Sequence, residues 1–229
     1  LQAQLGKGDT TQAEATIRDL ERSMAGLDKT RSCSTLSSAL VHVKKGDTQR
    51  AGEALKTLLA EQGAAQALSP KLKGELARAC FASQLDDHGA EVVLDIMRNA
   101  PDERSVEKTK AMLKEVGKEN LGEQLAGQID GEVRDLVSEG ARKAQSGDFD
   151  GAVQFMLSAV RRMPGNTHVL FNATLALLKH IENCGWNERF AEQARSLMER
   201  ARAQDPGNAR LPALTTYYYN LLKKFGIQP

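Results

Sequence analysis

The residues best suited to chemistry are three cysteines and four histidines, and their spacing predicts no reaction centre. Cys33, Cys80 and Cys184 lie far apart and form no Cys-X-X-Cys pair, which argues against a zinc site and against a disulfide framework. His168 and His180 are twelve residues apart, so they do not form the pair one helical turn apart that binds a metal. We therefore expect free, buried thiols in a reducing compartment, and neither a metal nor another cofactor.

Three pairs of residues invite a catalytic interpretation. Cys33 and His42 are nine residues apart on a predicted helix, about 13 Å at the helical rise, which is too far for a nucleophile and its base. Cys80 and His88 flank a predicted turn, where a catalytic dyad is the weaker alternative. Asp86–Asp87 is more typical of a turn and helix start than of a general acid and base. The common nucleotide-binding and hydrolase motifs are absent from the sequence, so we expect no enzyme.

The composition predicts a helical, soluble class of protein. Hydrophobic residues make up 41% of the chain, charged residues 27% and aromatic residues only 4%, and the strong helix formers dominate. A net charge of +1 leaves no basic excess for a nucleic-acid partner. No apolar run reaches the ~20 residues that would cross a membrane, so we expect no membrane insertion.

A short pattern recurs along the chain. Three stretches carry Gly-Asp, then a small residue four places after the aspartate, then an apolar residue four places further on. Such internal repetition indicates stacked helical hairpins, each too small to bury its apolar face alone. The three stretches are KGDTTQAEATIRDL from Lys7, KGDTQRAGEALKTL from Lys45 and SGDFDGAVQFMLSA from Ser146.

Glycine, proline and small polar residues divide the chain into predicted helices. Ser69 and Pro70 suit a helix start, Asn166 and Asn208 suit helix caps, and Gly8, Gly46 and Gly147 suit left-handed helix ends. Residues 1–6 are predicted to be the tail of another helix, so the chain is expected to be a piece of a longer polypeptide. The predicted helices are 9–25, 29–45, 48–62, 70–84, 87–99, 102–116, 119–145 with a break near Gly131, 149–163, 167–183, 187–204 and 209–225.

The small residues have a packing role in this scheme. Helices that cross closely need small side chains at the crossing, because the interaxial distance depends on the residues there. The sequence predicts Gly140, Ala152 and Ala159 as those contacts in the clearest repeat. Near the next break, Gly185 is predicted to end a helix and Asn187 to cap its successor, with Trp186 packing back onto it; a binding role for the inserted loop around Trp186 is the alternative.

These marks resemble the tetratricopeptide repeat (TPR). Eight of the positions at which that family has signature residues are filled: Leu136, Gly140, Gly147-Asp148-Phe149, Ala152, Ala159 and Pro164. The resemblance implies an all-α fold, a right-handed α-solenoid of stacked TPR-like hairpins with a C-terminal capping helix. It implies one superhelical domain over 1–229, with clear repeats at 133–166 and 167–206, degenerate repeats at 1–28, 29–66, 69–101 and 102–132, and a cap at 208–225.

A finer resemblance concerns the C-terminal half. The run from Gln128 to Asn166, with ENCGW and RARAQDPGNARL further on, resembles bacterial proteins that join a response-regulator receiver domain to TPRs. It implies a non-catalytic, cytoplasmic protein–protein interaction scaffold, the output or adaptor part of a signal-transduction protein. Two alternatives stay open: a periplasmic envelope scaffold for assembly or polysaccharide export, and the regulatory domain of a transcription factor.

The resemblance also implies where a partner binds. In TPR proteins a protein or peptide lies in the concave groove lined by the first helix of each hairpin, a surface that here includes Val137, Ala141 and Leu175. Core packing is the alternative for Phe171 and Leu175, and covering the last hairpin is the alternative for the final tyrosines; a homodimer is a further prediction. The predicted partner-binding residues are Arg134, Gln145, His168, Phe171, Asn172, Lys179, Arg210, Tyr217 and Tyr219.

Overall fold

The computed structural model describes residues 10–23, 28–61 and 63–228, and within these ranges the chain is all-α, with eleven helices and no strand. The observed helix ends lie within two residues of the predicted ones. The helices are α1 (Thr10–Ser23), α2 (Asp28–Lys44), α3 (Thr48–Ala60), α4 (Pro70–Ala82), α5 (Asp86–Arg98), α6 (Glu103–Glu115), α7 (Glu119–Gln145), α8 (Phe149–Arg162), α9 (Thr167–Cys184), α10 (Glu188–Gln204) and α11 (Arg210–Lys224).

The predicted break near Gly131 is wrong, because α7 continues without interruption from Glu119 to Gln145. A glycine inside a helix costs only about 1 kcal/mol relative to alanine. Leu125, Ile129 and Leu136 are all buried on the same helix, and their burial favours continued helix on both sides of the glycine.

Side-chain caps begin the helices that start after Asp47, Ser69, Asp148, Asn166 and Asn187. The Asp148 carboxylate accepts a hydrogen bond from Gly151 N at 2.8 Å, and the Asn166 amide oxygen accepts one from Val169 N at 3.1 Å. Such caps satisfy backbone N–H groups that have no partner within the helix. Asn208 accepts from Arg210 N at 3.0 Å, but α11 begins one residue later than predicted and has no side-chain cap.

Two of the predicted left-handed glycines are confirmed. Gly46 and Gly147 have φ angles of +75° and +83°, which residues with a Cβ rarely adopt, and each comes directly before a capping aspartate. The Gly-Asp pair therefore ends one helix and begins the next within two residues. Gly8 lies outside the described residues.

Backbone contacts group the chain into two compact units, here called unit 1 (1–96 with 109–123) and unit 2 (97–108 with 124–229). Each is described separately. The single domain over 1–229 and its division into repeats remain predictions.

In unit 1, α2 packs against its neighbours α1 and α3 and also against α4. Leu36, Leu55 and Leu58 are almost fully buried. The Phe81 ring lies so close to Gly89 that a Cβ added there would come within 2.7 Å of it. Ion pairs also link the helices: Lys73 with Asp95 at 2.5 Å, Arg78 with Glu115 at 2.7 Å, and Lys118 with Asp86 at 2.6 Å.

In unit 2, α9 is the central helix and packs against α8, α10 and α11. Its apolar side chains belong to a core cluster to which α7, α8, α10 and α11 contribute. Gly140 of α7 meets Met156 of α8, since a Cβ at Gly140 would lie 2.8 Å from Met156 Cγ, and Ala152 and Ala159 are almost fully buried. The predicted small residues therefore lie in buried or close-packed positions.

The break between α9 and α10 follows the prediction. Gly185 caps the end of α9 with a φ angle of +101°, and the Asn187 amide oxygen accepts from Phe190 N at 3.1 Å. The Trp186 indole donates to Glu188 at 2.9 Å, and its ring centre lies 5.9 Å from that of Phe225. Trp186 therefore packs against both α10 and the end of α11.

Candidate partner-binding groove

A groove of about 320 Å³ runs between α7 and α9 in unit 2, with α8 residues in its wall. Three of its side chains are polar and the rest are apolar or glycine. Lys179 is the one charged residue among them. The lining residues are Val137, Gly140, Ala141, Ala144, Gln145, Phe149, Met156, Asn172, Leu175, Ala176 and Lys179.

Local sequence explains the shape of the groove. On α7, Gly140, Ala141 and Ala144 recur at helical spacing and present almost no side chain, which leaves room between the helices. On α9, Leu175 is 39% exposed, although most of that helix is buried. Leu175 and Tyr219 are the two large hydrophobic side chains that are exposed among the described residues.

Polar groups lie along one side of the groove. The Asn172 side-chain nitrogen donates to His168 O one turn earlier, at 2.7 Å, so the amide oxygen is the group that can serve as an acceptor for a ligand. Gln145 is exposed at the end of α7. Lys179 of α9 adds an ammonium group to the groove lining, and this group also lies near the Tyr217 ring of α11.

Lys179 also belongs to a cluster that joins α9 to α11. Its Nζ donates to Glu182 Oε2 at 2.7 Å, and the Tyr217 hydroxyl donates to the same oxygen at 2.5 Å. These hydrogen bonds lower the pKa of Glu182, and the bond to Glu182 raises the pKa of Lys179. Burial, with the bond to Glu182, raises the pKa of Tyr217 to about 12, so its hydroxyl remains a donor at neutral pH.

The nine residues predicted to bind a partner fall into three groups. Gln145, Asn172 and Lys179 line the groove. Phe171 is only 3% exposed and packs in the core, and Tyr217 is half-buried against the same core, so both occupy the structural positions given as alternatives. A binding role for any of the nine remains a prediction. The remaining four are exposed but do not line the groove: Arg134, His168, Arg210 and Tyr219.

The prediction missed part of the wall. The sequence predicts Gly140 only as a packing contact and does not single out Met156, yet both line the groove. Ala144 and Ala176 were not singled out, although each follows a predicted surface residue at helical spacing. A search for small residues three and four places after Ala141 and Asn172 would have found them.

Unit 1 has a cavity of a different kind, with a volume of about 450 Å³. Six of its lining side chains are ionisable, and four of them form two pairs: Lys73 with Asp95 at 2.5 Å, and His88 with Glu91 at 3.9 Å. The lining of this cavity therefore contains both positively and negatively charged side chains.

The residues considered for catalysis lie in different surroundings. Burial raises the pKa of the Cys80 thiol to about 12, which leaves little nucleophilic thiolate at neutral pH. Cys33 and Cys184 are exposed, so the expectation of buried thiols is wrong for these two; each lies where its helix faces solvent. Asp86 and Asp87 lie in the first turn of α5, as predicted.

The described residues contain neither a metal-binding cluster nor a membrane-spanning helix. No cluster of three or more histidine, cysteine, aspartate or glutamate side chains is arranged to hold a metal ion there. None of the helices in those residues combines the length and apolar character needed to cross a membrane.

No protein-family model matches the chain, and no curated protein sequence matches it.

Proposed function

We propose that the chain is a TPR-like scaffold that binds a segment of another protein in the groove between α7 and α9. The observation that carries the proposal is the groove itself: apolar walls, an exposed Leu175, and polar groups along one side. Binding sites have this character, since apolar area supplies affinity while a few polar groups fix orientation.

The packing of the helices supports a repeat architecture. In unit 1, α2 contacts α3 and also α4; in unit 2, α9 contacts α10 and also α11. Stacked hairpins have this pattern, because each first helix meets its own partner and the first helix of the next hairpin. The family resemblance, the right-handed solenoid and the cap at 208–225 belong to this proposal.

The chemistry of the walls defines the partner. Burying apolar surface contributes about 25 cal/mol per Å² before the cost of association is subtracted. The small residues on α7 leave room for a bulky apolar side chain beside Leu175. The partner is therefore a peptide segment with one or two large apolar residues, flanked by backbone groups that meet Gln145 and Asn172.

The wider biological role follows from the finer resemblance. We place the scaffold in the cytoplasm, as the output part of a bacterial signal-transduction protein related to response regulators. Envelope assembly in the periplasm and regulation of a transcription factor are the competing roles. Reading the gene upstream of Leu1 separates the three, because each requires a different neighbouring segment.

A peptide-display selection tests the groove directly. Peptides selected on the wild-type chain should carry bulky apolar residues, and the Leu175→Ser variant should lose them. Tyr219→Ser is the matched control, because Tyr219 is the other large hydrophobic side chain exposed among the described residues but does not line the groove. Selected peptides that bind Leu175→Ser as tightly as wild type, or a selection that enriches none, would contradict the proposal.

A further inference from the structure

Lys179 belongs both to the groove and to the contacts of the last helix. Its side chain lines the groove between α7 and α9. The same ammonium group donates to Glu182 Oε2 and lies 5.3 Å from the centre of the Tyr217 ring on α11. A group that binds Lys179 from the groove side therefore competes with contacts made on the α11 side.

Glu182 is the acceptor through which α11 is held at this point. Its Oε2 atom accepts from Lys179 and from the Tyr217 hydroxyl, and its backbone oxygen accepts from Lys224 Nζ at 3.1 Å. Tyr217 and Lys224 are both on α11, so two of the three donors come from the last helix. The arrangement places two cationic side chains around one carboxylate.

The charge states of the cluster favour this arrangement at neutral pH. The pKa of Glu182 is lowered chiefly by its bond to Lys179, and the pKa of Lys179 is raised chiefly by the same bond. Removing Lys179 from Glu182 therefore takes away the main interaction that stabilises the carboxylate. The same movement takes the ammonium group away from the Tyr217 ring, which removes the direct contact of Lys179 with α11.

We propose that Lys179 couples the groove to the last helix: an anionic group that enters the groove and pairs with Lys179 weakens the α9–α11 contacts at Glu182 and Tyr217. The coupling is reciprocal, so loosening α11 makes Lys179 more available in the groove. As a means of regulating partner binding this inference rests on the proposed function, but the contact network itself does not depend on a natural partner.

A tethered charge tests the coupling without a known ligand. Leu175 and Lys179 are one helical turn apart, which places their Cβ atoms about 5–6 Å from each other. The variant Leu175→Cys, with Cys33→Ser and Cys184→Ser, leaves one exposed thiol, since Cys80 is buried. That thiol is labelled in parallel with an ethyl sulfonate methanethiosulfonate and with its uncharged propyl counterpart.

Hydrogen exchange in α11 is the readout. At low salt the anionic adduct should speed amide exchange in residues 214–224 about three- to tenfold relative to the neutral adduct, with α8 unchanged. In a Lys179→Met background the amides of residues 214–224 should exchange at the same rate with either adduct. Equal exchange with Lys179 present, or a difference that persists without it, would overturn the coupling. The display selection with Leu175→Ser does not depend on this result, so either proposal can fail alone.

Discussion

The two units differ most in the walls of their cavities. In unit 1 the cavity is lined by six ionisable side chains, four of which form two pairs, whereas the groove of unit 2 has one charged side chain and walls that are mainly apolar. A paired charge such as Asp95 needs no ligand, because Lys73 already lies beside it. Exposed apolar walls remain in contact with water until a partner covers them, and covering them lowers the free energy of the system. The difference favours unit 2 as the binding unit.

The largest expected effect is a difference in stability between a substitution in the core of unit 2 and one in its groove. Leu177 is fully buried on α9, and Leu175, two residues earlier, is 39% exposed. Leu177→Ala should lower the free energy of unfolding by about 2–5 kcal/mol, because it removes buried methyl groups and leaves a cavity. Leu175→Ala should change it by about 0.5 kcal/mol or less. Urea unfolding measures both, and similar losses for the two variants would mean that Leu175 is a core residue.

The next effect tests the helix crossing beneath the groove. Ala152 is 1% exposed on α8, so Ala152→Leu should overpack the crossing and cost about 1–3 kcal/mol. Ala111, exposed on α6 of unit 1, provides the matched substitution Ala111→Leu, which should fall within about 0.5 kcal/mol of wild type. A well-tolerated leucine at 152 would show that the small residues there do not set the helix spacing.

The third effect tests the charged cavity of unit 1. Lys73→Met removes the ion pair with Asp95 but retains most of the alkyl chain, and the loss should be at most about 1 kcal/mol. Salt should reduce it, since added ions screen partly exposed charges. Binding of a selected peptide to unit 2 should change little between about 0.05 and 0.5 M salt, although the Debye length falls over that range from more than about 10 Å to less than about 8 Å. A strongly salt-dependent peptide affinity would undo the contrast between the two cavities.

The sequence describes the helices more plainly than it describes the packing between them. Helix positions were predictable throughout, because Gly-Asp pairs and polar caps fix helix ends locally, as at Gly46-Asp47 and Gly147-Asp148. The uninterrupted α7 was not predictable from Gly131, since burial elsewhere on the helix decides it. Nor could the sequence show that Phe171 faces the core while Leu175 lines a groove, because both occupy α9 and only the packed neighbours distinguish them.

The same limit applies to the contacts of the last helix. The stripe of Leu214, Leu221 and Leu222 in α11 follows from helical spacing, and all three are buried. The hydrogen bond from Tyr217 to Glu182 joins residues 35 positions apart, and no local pattern encodes it. Long-range polar contacts depend on the relative placement of helices, which the repeat pattern gives only coarsely.

The smallest effect tests that hydrogen bond by pH. The Tyr217 pKa is raised to about 12 from an ordinary value of 10.0, so the folded chain keeps the proton where the unfolded chain has lost it. Its contribution to stability is therefore complete below pH 10 and is lost as the pH rises towards 12. The stability advantage of wild type over Tyr217→Phe should be below about 1 kcal/mol, because the ring is only partly buried, and should shrink over that range. Urea unfolding at pH 9 and 11.5 measures it, with Tyr219→Phe as the control for an exposed tyrosine. A constant advantage would mean that the hydroxyl is not held by Glu182, which would also remove one of the contacts through which Lys179 is coupled to α11.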